Sequence, residues 1–306
     1  MKVLVTGGAG FIGSHVVDAY VAAGHGVVTV DNLSSGRRDY VHPRCRLYEV
    51  DIRSKHLRAV FAQERPEIVN HHAAQASVIA SMEDPQRDAG INIMGTLNLL
   101  ALCAEFGVRR VIFASTGGAI YGEPEHLPVD ESHPARPLSP YGISKLTGET
   151  YLRVFGRNAL SYAIFRYTNV YGPRQDPFGE AGVVAIFART MLDGHPPTIY
   201  GDGTQTRDFV YVEDVAQANL RATEGDTSDV ANIATGIETS VNDLFHHLAH
   251  LTGFEGGATF APPRRGEVYR IALSAARARQ WLGWSPQTPL LEGLRRTAEW
   301  FRAQQK

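Results

Sequence analysis

A chain of 306 residues with 30 basic and 32 acidic side chains is long enough to bury a sizeable core, and its formal charge of −2 offers no one-signed surface for nucleic acid or membrane. Its two cysteines, Cys45 and Cys103, lack metal-type spacing and read as small apolar residues, which argues against disulfides. The apolar run Val3-Leu4-Val5 meets a glycine cluster at once, too soon for a signal peptide or a spanning helix, so a cytoplasmic protein is expected.

The first predicted strand, 2–6, is closed by a glycine turn over 7–13, and helical apolar spacing runs from 14 to 23. A second strand, 26–30, ends in Asp31 and completes a βαβ unit with parallel strands and a right-handed crossover. Further strands are predicted at 46–49, 68–71, 110–114 and 161–166, alternating with helices at 55–64, 87–106 and 140–158. That alternation predicts an α/β fold with a doubly wound parallel sheet, a Rossmann fold. Beyond 166 the chain turns to Pro/Gly-rich segments, with one helix at 213–223, one strand at 230–234 and an amphipathic helix at 290–304. The expected division is a nucleotide-binding domain over 1–170, to which 208–235 returns, and a smaller C-terminal α/β substrate-binding lobe from 171–207 and 236–306.

Gly7, Gly10 and Gly13 stand where a dinucleotide fingerprint belongs, between a strand and a helix, in a turn that also holds Phe11 and Ile12. Glycines there permit the tight turn and let the backbone and the helix N-terminus approach a pyrophosphate. Asp31, at the end of the second strand, can accept the adenosine ribose hydroxyls and repel a 2′-phosphate, which favours NAD over NADP; Arg37 and Arg38 are a mild counter-signal. Asp51 and Ile52, after the third strand, are placed to meet the adenine or to form a plain turn. Tyr141 and Lys145 are four apart on a helix, with Cβ atoms roughly 5–6 Å apart, and a fixed cation beside a phenol lowers its pKa. His71 and His72 point to opposite faces of a strand, and His246, His247 and His250 read as surface helix, so no metal site is expected.

Seven segments in order strengthen these readings: Thr6-Gly-Gly-Ala-Gly-Phe-Ile-Gly13, Asp31-Asn32-Leu33-Ser34, His72-Ala73-Ala74-Gln75, Asn92-x-x-Gly95-Thr96, Tyr141-Gly-Ile-Ser-Lys145, Arg166-Tyr-Thr-Asn169-Val-Tyr171-Gly-Pro173 and Arg207-Asp208-Phe-Val-Tyr211-Val-x-Asp214-Val215. With Ser115-Thr116 just past a strand, the chain resembles, over essentially its whole length, the extended short-chain dehydrogenase/reductase family, in its sugar-nucleotide epimerase/dehydratase branch. The resemblance implies that Tyr141 is the base, that Lys145 binds the nicotinamide ribose and lowers the tyrosine pKa, and that Thr116 bonds the hydroxyl being oxidised, with Ser115 as the alternative. It implies further NAD contacts at Asn32, Ser34, Ala73, Ala74, Gln75 and Asn92. Substrate contacts are implied at Ser77, Asn169, Arg207 and Arg264, with Arg265 competing for the last place.

Two features depart from the family pattern or divide its branches. The segment Ser115 to Tyr121 is one residue longer than usual, and Gly117 and Gly118 have the backbone freedom to absorb the insertion. Related dehydratases carry Asp-Glu directly after the threonine, and decarboxylases a glutamate, whereas Gly117-Gly118-Ala119 can transfer no proton. The resemblance therefore implies 4-epimerisation of a UDP-sugar, UDP-glucose to UDP-galactose, by reversible hydride transfer through a 4-keto intermediate. An epimerase of a uronic or N-acetyl sugar, a sugar-nucleotide reductase and a catalytically silent NAD binder are the alternatives. The helices 92–106 and 140–158 resemble those that pair two subunits, so a homodimer is expected, although Leu97, Leu100 and Phe155 serve equally as ordinary core.

Overall fold

In the computed structural model, which describes residues 1–157, 160–178, 182–263 and 268–305, the first half runs β1 (Lys2–Thr6), α1 (Phe11–Ala22), β2 (Gly26–Asp31), β3 (Arg46–Glu49), α2 (Leu57–Glu64), β4 (Ile68–His71), α3 (Val78–Glu83), α4 (Pro85–Ala89), α5 (Gly95–Phe106), β5 (Arg110–Thr116), α6 (Gly117–Ile120), α7 (Pro140–Phe155) and β6 (Ser161–Tyr167). The second half runs β7 (Asn169–Tyr171), α8 (Val183–Leu192), β8 (Thr198–Tyr200), β9 (Thr206–Arg207), β10 (Phe209–Tyr211), α9 (Val212–Arg221), β11 (Asp229–Ile233), β12 (Thr239–Ser240), α10 (Val241–Thr252), β13 (Thr259–Ala261), α11 (Ala276–Leu282) and α12 (Leu290–Ala303).

Seven of these strands form one parallel sheet in the order β11-β6-β5-β4-β1-β2-β3. Helices cover both faces, so the strands are apolar on both sides. In β1, Val3 and Val5 enter the core under α1, while Leu4 enters the opposite one with Phe61, Leu99 and Leu152. The chain leaves β1 towards β2 and β3, then restarts on the other side with β4, which opens a crevice between the carboxyl ends of β1 and β4. That is the switch point at which doubly wound sheets bind ligands.

A separate core, with Tyr171, Phe187, Met191, Phe209, Leu244 and Phe301, holds α8, α10 and α12 together. The paired short strands β7/β10, β9/β12 and β8/β13 stitch this part of the chain.

The largest differences from expectation fall at α1 and around the helix expected at 87–106. Helix α1 begins at Phe11, capped by Gly10, so Gly13 lies inside its first turn. The helix expected at 87–106 is interrupted by a π-helical turn at Gly90–Met94, and it is preceded by the unexpected helix α3. Residues Pro85–Phe106, 22 in all with mean hydropathy 1.4, are long and apolar enough to cross a membrane by length and composition. They form a flanking layer instead, with α5 packed on α2 and α7 and with Leu99, Leu100 and Cys103 in the core.

Candidate active site

The glycine turn closes the switch-point crevice by direct contact. Gly7 has φ of +69° and lies so close to the chain after β4 that a Cβ there would sit 2.6 Å from Ala73 N. A Cβ on Gly13 would sit 2.1 Å from Gly7 O, so neither position tolerates a side chain. Thr6 Oγ1 accepts from Ala73 N at 3.2 Å, which fixes Ala73 and Ala74 against the end of β1.

Asp31 is buried at the end of β2, its carboxylate accepting from Ala9 N at 3.0 Å and Leu33 N at 2.8 Å. Ser34 Oγ donates to Asn32 Oδ1, and Asn32 Nδ2 donates to Asp51 Oδ2 at 3.0 Å. The Arg53 guanidinium holds the Asp51 carboxyl down at about 2. Ile52 is buried, and its carbonyl accepts from Asn98. The loop arginines are answered locally, Arg38 by Glu49 and Arg37 by Asp39. A cradle that any Cβ would fill, a fixed carboxylate at β2 and a buried His72 Nδ1 without a protein partner among the described residues together fit a dinucleotide.

The wall after β4 is held from behind. Asn92 accepts from Gln75 N at 2.9 Å and donates to Gln75 O at 2.9 Å, so its amide clamps this loop instead of reaching into the crevice. The Gln75 side chain turns inward too, donating to Ser77 O and Asp88 Oδ1. Ser77 caps α3, its Oγ accepting from Ala80 N, while its neighbours Ala76, Val78 and Ile79 line the adjoining cavity.

Tyr141 and Lys145 lie in the first two turns of α7, a helix started by Ser139 as N-cap and Pro140 at its first position. Thr116, the last residue of β5, lines the same cavity as the Tyr141 phenol. Lys145 Nζ donates to Ala114 O at 2.9 Å and stands 5.9 Å from the Tyr141 ring centroid. The phenol does not lie below its ordinary value in this environment, although the lysine is one turn away. Burial pushes the phenol up to about 12, the Asp88 charge adds to the rise, and the Thr116 hydroxyl opposes it. Burial likewise pushes Lys145 down to about 8, opposed by Asp88. Desolvation, which disfavours both charged forms, is the largest cause of each shift.

Ser115 is engaged elsewhere, donating to Glu149 Oε1 at 2.7 Å. Glu149 is fully buried and takes Arg166 bidentately, at 2.9 and 2.7 Å, and Arg166 also donates to Tyr121 OH. This network anchors β5 directly beneath Thr116.

A cavity of about 920 Å³ opens from Thr116 and Tyr141 and extends past Asn169 to Arg207. Asn169 is placed by its N–H bond to Asp208 O at 3.1 Å. Asp208 is itself buried and accepts from Thr235, Gly236 and Leu273, tying three loops beside Arg207. The Arg207 guanidinium donates to the carbonyls of Thr206 and Tyr269. Arg264 and Arg265 lie outside the described residues. No group of three metal-ligating side chains occurs among the described residues. Two buried residues near the site were not singled out from the sequence, Asp88 and Glu149. Their available signals were an Asp88–Asn92 pair at helical spacing within an apolar helix, and Arg166 inside an apolar strand in need of an anion.

A dinucleotide cradle at the switch point, leading to a threonine and a tyrosine on one cavity with a buried lysine one turn further along α7, defines an NAD-dependent enzyme. The chain belongs to the NAD dependent epimerase/dehydratase family, whose model matches residues 3–234. A UDP-glucose 4-epimerase of Mycolicibacterium smegmatis is 44% identical, covering 99% of both chains. The crystal structure of the Thermotoga maritima UDP-glucose 4-epimerase with UDP-glucose is 50% identical with a TM-score of 0.98, covering 100% of both chains. That of the Thermus thermophilus UDP-glucose 4-epimerase with NAD is 45% identical with a TM-score of 0.95, covering 99% of both.

Proposed function

We propose that this enzyme interconverts UDP-glucose and UDP-galactose by epimerising C4 of the sugar with NAD. The observation that carries the reading is that Thr116 and Tyr141 line one cavity beside Gly118 and Ala119, which supply no second proton-transfer group. Elimination needs such a group; epimerisation does not. The similarity to UDP-glucose 4-epimerases over the whole chain supports the same reading.

NAD, when bound, supplies the acceptor and donor of the C4 hydride. Gly7, Gly10 and Gly13 would take its pyrophosphate, Asp31 its adenosine ribose, and Lys145 the ribose on the nicotinamide side. Tyr141 takes the C4 hydroxyl proton and later gives it back, while Thr116 orients that hydroxyl. With the phenol held near 12, Tyr141 works as a base only with a cation beside it, and Lys145 is the cation that α7 brings there. Asn169 and Arg207 would hold the diphosphate at the far side of the cavity. A volume of about 920 Å³ leaves the keto-sugar room to turn and present its other face.

The nucleotide-binding part comprises 1–170 with 208–235, and the segments 171–207 and 236–306 form the substrate lobe. The enzyme works in the cytoplasm as a homodimer paired through the helices 92–106 and 140–158, where Met94, Ile143 and Val154 are exposed apolar side chains. A panel of UDP-hexoses, UDP-N-acetylhexosamines and UDP-uronic acids tests the assignment. Turnover of UDP-glucose and UDP-galactose is expected to exceed the rest, and a dominant uronic or acetamido substrate would overturn it.

A further inference from the structure

Asp88, on α4, is 1% exposed, yet nothing in the sequence motifs gives it a part. Its carboxylate joins three separate segments. Oδ1 accepts from Gln75 Nε2 at 3.0 Å and from Asn92 Nδ2 at 2.9 Å, and Oδ2 accepts from Ser144 Oγ at 2.6 Å. Gln75 belongs to the cofactor wall, Asn92 to the π-helical turn and Ser144 to the turn of α7 between Tyr141 and Lys145. Single π-helical turns inside α-helices are frequent at functional sites.

We propose that Asp88 is a positioning residue that ties the Tyr141–Lys145 turn to the cofactor wall and sets the charge balance of that pair. The proposal rests on the reading of Tyr141 as proton acceptor. A carboxylate so placed keeps Lys145 protonated and makes the phenol harder to ionise, and its charge acts on both in that sense. The other titratable groups facing the pair are His71 and His72 at the end of β4, which burial and Lys145 hold neutral. On the sheet side, Glu149 of α7 and Arg166 of β6 neutralise each other. Glu83, Arg87 and Glu105, on the remaining helices packed against α7, are exposed. Asp88 is thus the unneutralised anion beside the pair among the described residues.

Asp88→Asn separates charge from shape. The new carbonyl can accept from Gln75 and Asn92 while the new amide donates to Ser144 Oγ, so the bonds persist without the charge. Ser144→Ala does the reverse, keeping the charge and losing the tie to α7. The titration of Tyr141 is read from phenolate ultraviolet absorbance, with the Tyr141→Phe variant subtracted, and the pH profile of kcat/KM is measured alongside. In Asp88→Asn, phenolate formation and the acid limb of kcat/KM are expected to move about 1 unit to lower pH. In Ser144→Ala, kcat is expected to fall about tenfold, with KM and the titration unmoved. An unmoved titration in folded Asp88→Asn overturns the charge role, and wild-type kcat in Ser144→Ala overturns the positioning role. The second arm decides even if Asp88→Asn does not fold. The absorbance titration needs no substrate, so it still reports on Asp88 if the wild type fails to epimerise.

Discussion

The glycine cradle permits a graded test. A Cβ added at Gly13 would lie 2.1 Å from Gly7 O and 2.8 Å from Gly7 C, where ordinary contact begins at 3.4 Å. Both neighbours are backbone, so no side chain can rotate aside and the turn must open by more than an ångström. Overpacking of this kind costs roughly 1–3 kcal/mol of stability. The larger effect falls on the ligand, because the displaced amides are those that meet the pyrophosphate. NAD affinity in Gly13→Ala should fall about 10- to 100-fold, a loss of about 1.4–2.7 kcal/mol. Gly10→Ala is milder, since its Cβ would meet Gly7 O at 3.2 Å and a few tenths of an ångström suffice. Gly257→Ala, with nothing within 4 Å, is the control and should bind as wild type. Isothermal titration with NAD on the three folded variants ranks them. Wild-type affinity in Gly13→Ala would refute the claim that this turn is the cofactor cradle.

Tyr141→Phe should lower kcat by about 10²- to 10⁴-fold while NAD binding and melting temperature stay near wild type, as steady-state kinetics and calorimetry would show. Glu149→Ala leaves the buried Arg166 guanidinium without its counter-charge, at about 3–5 kcal/mol. With roughly 2–4 °C lost per kcal/mol, its thermal midpoint should drop by about 6 °C or more; a smaller drop would mean that the pair contributes little. Lys145 is predicted to make stability rise with pH. Its folded-state pKa of about 8 lies below its usual 10.5, so between these values the unfolded chain holds a proton that the folded chain has released. Urea unfolding across that window should show wild type gaining stability relative to Lys145→Met, and parallel curves would contradict the shift.

Much of the sheet was legible because its strands are buried on both faces. β1, β2 and β5 carry runs of three or more apolar or β-branched residues, Val3 to Thr6, Val27 to Val30 and Val111 to Ala114. The start of α1 was misplaced because Phe11-Ile12-Gly13 looks like turn when read by glycine content. Only the packing of Gly13 on Gly7 shows it to be helix. The strands of the second part, such as β9 and β12 at two residues each, are too short for any periodicity to register. At the site, the residue types that do chemistry were readable from spacing, but their environment was not. The rise of the Tyr141 pKa depends on burial and on Asp88, whose partner Ser144 is 56 residues away. Ser115 and Thr116 are indistinguishable in sequence; strand alternation turns one towards Glu149 and the other towards Tyr141.

The central claim is that one hydride leaves C4 of the sugar and returns to the same carbon on its other face. UDP-glucose deuterated at C4, incubated with the enzyme and NAD in ordinary water, tests it directly by mass spectrometry and NMR of the product. UDP-galactose carrying the deuterium at C4 is the predicted result. Loss of the label to solvent, or its release in free reduced cofactor, would contradict the account.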